Sequence, residues 1–221
     1  MTLKRPKPPI PADSRLWEFG LTKELVAQIC EGALHGRNLS SELQPRTAEG
    51  SLKYIFGVEA LRTVCLSIGT VSYENFSKNN MEGVFDPLNG RKLMFQTVDA
   101  ACGIKDPQPK SKIGDGKRRL IEASRSGFLF PEWESQAREQ EAREATFADS
   151  ECWYVMMSID ANGTVCCEIS RPKAVEDEQF CGFYERILVF KHGEFEKLGS
   201  QHGAGDTDDD KFEIKPTIQK K

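Results

Sequence analysis

The stretch from Trp153 to Arg171 constrains the fold more than any other, because two alternating runs flank Asp160-Ala161-Asn162-Gly163. Such a pattern is a β-hairpin, and its register follows from which residues must share a face. A two-residue Asn162-Gly163 loop would pair Met157 with Glu168 and mix charge with apolar groups. A three-residue loop, Ala161 to Gly163, pairs Asp160 with Thr164 instead. Val155, Met157 and Ile159 then share a face with Val165, Cys167 and Ile169. Tyr154, Met156, Ser158 and Asp160 share the other with Thr164, Cys166, Glu168 and Ser170. This register separates apolar from polar groups, and it suits a type I turn with Gly163 left-handed in a G1 bulge.

The rest of the chain supplies helices and further strand candidates. Thr22 is placed to cap a helix over Lys23 to His35, with Leu25, Val26, Ile29, Cys30 and Leu34 on its inner face and an end near Gly36. A second, mostly buried helix spans Ser51 to Ser67 despite Gly57. Phe85 to Gly90 is turn chemistry. Whether 92–101 and 180–190 are helix or strand is left open by periodicity, with the strand favoured over Glu185 to Lys191. Pro131 to Asp149 reads as a surface helix laced by Glu134–Arg138 and Glu139–Arg143 pairs. The expected fold is therefore α+β: an N-terminal helical half packed on a small antiparallel sheet made of the hairpin 153–171 and the strand 185–191.

One domain over 15–198 is expected between two arms. Residues 1–14 hold four prolines with Lys4, Arg5 and Lys7 among them, an extended basic arm that cannot enter a central strand. Residues 199–221 pass from glycine-rich to acidic to basic, and Phe212 and Ile214 alternate with charges, a pattern that a partner's sheet edge can capture as an added strand. Both arms, 1–14 and 206–221, are candidate protein-partner segments. No run of 18 apolar residues occurs, and the N-terminus lacks an apolar signal core, so a soluble cytoplasmic protein is expected.

The chemistry-bearing residue types form no specific motif. The seven cysteines include no Cys-x-x-Cys pair, and the three histidines are scattered, so no metal site and no cofactor are expected. Most of the thiols read as small buried apolar groups. Cys102, beside Gly103 and Lys105, is the one in a polar context, with no histidine close in sequence to act as its base. Gly114-Asp115-Gly116-Lys117 lacks the spacing of a phosphate-binding P-loop.

Two candidate sites remain. Asp160 and Glu168 on the hairpin are the carboxylates a magnesium-dependent nuclease would use. Serine stands at position 170, however, where that class carries lysine. Four residues at ~3.3 Å each also hold the two carboxylates about 13 Å apart, too far to share one ion. On this ground they read as a turn aspartate and a surface glutamate. The other candidate is basic. The segment from Lys105 to Arg125 holds those two residues and Lys110, Lys112, Lys117, Arg118 and Arg119, seven cations against three acids, leaving +4. Lys110, Lys112, Lys117, Arg118, Arg119 and Arg125 are the expected contacts to nucleic-acid phosphates. The net charge of −4 excludes a protein that coats nucleic acid with its whole surface. The leading expectation is thus a non-catalytic accessory protein that binds nucleic acid through 105–125, ahead of the nuclease and of an adaptor acting through its tails.

Overall fold

In the computed structural model, residues 10–11, 15–78, 80–123 and 146–195 are described. Helix α1 spans Lys23–Asn38 and begins where the Leu25 N–H donates to Thr22 Oγ1 at 3.3 Å. It runs past the expected stop at Gly36. That glycine is consumed by packing instead: a Cβ there would lie 2.6 Å from the Leu52 carbonyl oxygen and 2.6 Å from Phe56 Cβ. Helix α2, Ala48–Ser67, starts one turn earlier than expected and passes unbroken through Gly57. The two helices pack closely along this seam.

They cover one face of a seven-stranded sheet. Its strands are β1 (Ile10–Pro11), β2 (Glu74–Lys78), β3 (Met81–Asp86), β4 (Arg91–Thr97), β5 (Glu151–Ile159), β6 (Val165–Pro172) and β9 (Phe183–Phe190), in spatial order β1-β9-β6-β5-β4-β3-β2. A separate two-stranded ribbon joins β7 (Val175–Glu176) to β8 (Gln179–Phe180). The fold is α+β, but the sheet is neither small nor purely antiparallel. β4 runs parallel to β5, and β1 runs parallel to β9. Pro11 is compatible with β1 because that strand forms the sheet edge, where a missing N–H leaves no ladder bond unmade.

The hairpin has the expected register, with Ile159 opposite Val165, Met157 opposite Cys167 and Val155 opposite Ile169. Gly163 takes φ 82°, and its N–H donates to the Asp160 carbonyl at 3.1 Å. The segment 92–101 resolves into strand β4 followed by turns. Its Leu93 and Phe95 join the core beneath the helices, while Met94 faces the other side, a period of two. β9 likewise overrides the helical spacing of Phe180, Phe183, Tyr184, Ile187 and Leu188. Ile187 and Val189 face the helices, and Phe183 and Leu188 face away.

The face expected to be polar is not open to water. Helix α3 (Asp115–Ala123) and the β7–β8 ribbon lie over it, and Leu120, Ile121, Val175, Phe180 and Phe183 pack on Tyr154, Met156 and Cys166. Of the surface helix expected over Pro131 to Asp149, only 146–149 are described, and they are helical. Its Glu134–Arg138 and Glu139–Arg143 pairs lie outside the described residues.

Candidate anion-binding site

Covering both sheet faces forces polar groups inward, and each must find a partner. Glu168 is fully buried rather than a surface residue. Its Oε1 accepts from Arg186 Nε (2.9 Å) and Ser170 Oγ (2.7 Å), and its Oε2 from Arg186 Nη2 (2.7 Å) and the Gly103 N–H (2.8 Å). Four donors saturate the carboxylate, so it locks β6 to β9 and to the loop after β4. Asp160 is the turn aspartate, its Oδ1 accepting from the Asn162 and Thr164 N–H groups at 2.9 and 2.8 Å. The two carboxylates thus serve separate structural tasks.

Cys102 is fully buried, not polar in setting, and Cys166 donates to its carbonyl. Its contact with the Cys166 thiol and its burial push the Cys102 thiol well above the ordinary range, the reverse of an activated nucleophile. Among the described residues no three His, Cys, Asp or Glu side chains are grouped to hold a metal ion. No described helix is long and apolar enough to cross a membrane.

One lysine has no such partner. The buried positions of α2 are Lys53, Gly57, Val58, Leu61, Val64 and Cys65, so Lys53 heads the helix's inward stripe. It is only 5% exposed. Glu49, one turn before it, is the natural i,i+4 partner, but Glu49 is held by Arg37 at 2.7 Å. Among the described residues the Lys53 ammonium makes no hydrogen bond or ion pair. Burial and the nearby Lys110 charge both lower its pKa below 10.5, with Glu49 opposing them more weakly.

The ammonium looks into a pocket of about 430 Å³ between the start of α2 and the end of β4. Arg46 and Lys110 line the same pocket, as do the hydroxyl-bearing Thr47, Ser51, Tyr54, Thr97 and Ser111. Thr97 Oγ1 is buried without a hydrogen-bond partner. Lys110 is fixed there by its backbone, whose N–H donates to the Thr97 carbonyl at 3.1 Å. Asp99 ties the intervening loop, its Oδ1 accepting from Ala101 and Gln108 N–H groups at 3.1 Å each. Helix α2 opens without a side-chain cap, so its first-turn amides add a positive dipole end at Gly50, on the pocket wall.

Of the basic residues named from sequence, Lys110 lines the pocket. Lys117 flanks it, donating to Gln96 Oε1 at 3.1 Å and lying 5.8 Å over the Tyr54 ring, and burial lowers its pKa. Arg118 faces Asp115 at 3.9 Å, Arg119 is exposed, and Lys112 is paired with Glu178 at 2.6 Å away from the pocket. Arg125, Phe212 and Ile214 lie outside the described residues.

No family model, curated protein or solved structure matches the chain. The chemistry of the pocket therefore stands on its residues alone. Sequence reasoning missed Lys53 and Arg46. The signal for Lys53 was its place four and eight residues before Gly57 and Leu61, a lysine on a stripe otherwise built for burial. Three cations, five hydroxyl-bearing residues and a helix N-terminus line the pocket without a nucleophile–base pair, an arrangement suited to holding a tetrahedral anion.

Proposed function

We propose that the protein is a non-catalytic nucleic-acid-binding accessory protein. A backbone phosphate enters the pocket at the start of α2, against Lys53, Lys110 and Arg46. Arg118 and Arg119 on α3 give outer contacts to neighbouring phosphates, which position the strand without reading its sequence.

The reading rests on Lys53. Its stem is buried, its ammonium makes no hydrogen bond among the described residues, and the one nearby acid, Glu49, is held by Arg37, so an anion in the pocket gains a charge-assisted hydrogen bond there. A nucleic-acid phosphate is the anion that the adjoining basic segment favours, since that segment offers further cations at its rim.

The test is a titration of a labelled oligonucleotide followed by fluorescence anisotropy. Lys53→Met keeps the stem and removes the charge. A hydrogen bond to a charged group contributes about 1.5–3 kcal/mol, so affinity falls at least about tenfold. Lys112→Ala, which removes an exposed lysine already paired with Glu178, changes affinity by less than about threefold. Unchanged binding in Lys53→Met, or no binding by the unaltered protein, overturns the proposal.

A further inference from the structure

The sheet ends on two unlike edges. At one, β1 is two residues long and carries Pro11, which offers no N–H to an incoming strand. At the other, β2 holds no proline, and its pairing with β3 runs from Glu74 to Lys78 without a bulge. Among the described residues nothing pairs with the outer side of β2, and every residue of the strand except Phe76 is exposed.

The turn into β3 decides which backbone groups of β2 are free. Only two residues separate Lys78 from its partner Met81, so these two exchange hydrogen bonds. By alternation Phe76 and Glu74 also turn their N–H and C=O groups to β3. Arg62 agrees with this, since it donates to both the Phe76 and the Gly83 carbonyls, at 2.7 and 3.4 Å, in the gap between the two strands. Asn75 and Ser77 are left with their N–H and C=O groups facing outward, a template for one more strand.

The strand itself, Glu-Asn-Phe-Ser-Lys, is charge-complementary to its own reverse. In an antiparallel pair of two copies centred on Phe76, Glu74 lies opposite Lys78 of the second copy, and Lys78 opposite its Glu74. Asn75 then faces Ser77, and these are the residues whose backbone groups point outward, so the register that pairs the charges also closes the free hydrogen bonds. Glu74 and Lys78 fall at the non-hydrogen-bonded positions, where facing side chains come closest. A slip of one residue sets outward groups against inward ones, and a slip of two unpairs charges. Within its own chain neither Glu74 nor Lys78 has an ion-pair partner among the described residues. A terminal lysine guards an edge against an apolar strand, but not against one that brings a carboxylate into register.

We propose that the protein forms a two-fold symmetric dimer through β2, joining the two sheets into one. The pocket at Lys53 contains no residue of β2, so the dimer neither needs nor blocks anion binding. A contact between two five-residue strands is at the small end of specific interfaces, so the dimer is reversible on dilution.

The test is sedimentation of the full chain between about 1 and 300 μM, a range suited to a small interface. The mass is expected to rise with concentration toward twice the 24.8 kDa of one chain. Glu74→Lys sets lysine opposite lysine, and Lys78→Glu sets glutamate opposite glutamate, so each variant alone is expected to dimerise about tenfold more weakly. In an equal mixture of the two variants every charge again meets its complement, and the dimer returns as a heterodimer. That return separates lost pairing from lost folding. A monomer at every concentration of the unaltered chain overturns the proposal. So does a dimer that either single variant leaves unweakened, or a mixture that stays as weak as its components. Amide exchange reads the same edge: a monomer whose Asn75 and Ser77 amides are protected would mean that another segment, such as that around Phe212 and Ile214, holds the edge in place of a second copy, and would also overturn it.

Discussion

Lys53 connects residue chemistry to a measurable pH dependence. Its folded pKa lies below the ordinary lysine value of 10.5, with burial the larger cause and the Lys110 charge the next. Between the lowered value and 10.5 the unfolded chain binds a proton that the folded protein does not, so stability contributed by this group rises with pH across that window. Anion binding has the opposite dependence, because it needs the ammonium. Affinity for a phosphodiester strand, whose own charge is constant at these pH values, is therefore expected to hold at neutral pH and to fall at alkaline pH before an ordinary lysine would deprotonate. Anisotropy titrations at constant ionic strength check this. In Lys53→Met the alkaline fall shrinks to what Lys117 contributes, its pKa also lowered by burial. An affinity independent of pH in the unaltered protein contradicts the assignment. Glu168 shows the limit of reading single residues from sequence. Alternation placed it opposite the apolar face, which is correct, but alternation carries no information about whether a second layer covers that face. The partner that explains its burial, Arg186, is 18 residues away, and in the sequence it is only one residue of the strand expected over Glu185 to Lys191.

Elements were legible where a local rule decided them. The hairpin register followed from the two-residue period alone, and the α1 start from its cap. Boundaries set by packing were not legible, and Gly36 is the clearest case. In a sequence it signals a helix end, whereas here it lets α1 approach the Leu52 carbonyl. Two alanine substitutions separate these uses of glycine. Gly163→Ala places a Cβ in open space but at φ 82°, so its cost is backbone strain alone, about 1 kcal/mol. Gly36→Ala raises intrinsic helix propensity by roughly 1 kcal/mol. It also drives a methyl to 2.6 Å from backbone oxygen, where overpacking outweighs the gain, and a net loss of about 2 kcal/mol is expected. Urea unfolding of the two variants checks both values. A stabilised Gly36→Ala would show that the helix seam has slack and that the glycine is there for another reason.

The whole molecule escaped sequence reading chiefly through β4 and its neighbours. β4 pairs in parallel with β5, with Arg91 opposite Glu151, and no local pattern reports a pairing across so long a loop. That same pairing sets β4 beside the central strand β5 and puts Thr97 and Lys110 against the start of α2, so the pocket is a product of topology and not of a motif. Its scale also predicts how binding responds to salt. The chain carries a net charge of −4, and on the reading proposed above the phosphate contacts come from Lys53, Lys110, Arg46 and the α3 arginines among the described residues. About three phosphates are then neutralised, and at ~0.7 per phosphate for a single strand the logarithm of affinity falls with the logarithm of salt at a slope of about −2. A fourfold rise in salt lowers affinity roughly twentyfold, far less than for a protein that tracks a long stretch of backbone with six to ten contacts. The check is a salt series on the unaltered protein and on Arg118→Ala/Arg119→Ala, whose slope is expected to be shallower by about two phosphates, near −0.7. A slope near −6 would mean that nucleic acid lies along a surface much larger than this pocket. A slope near zero would mean that the Lys53 ammonium does not meet a phosphate at all, since an ion pair at Lys53 cannot form without releasing the counter-ions that screen the strand.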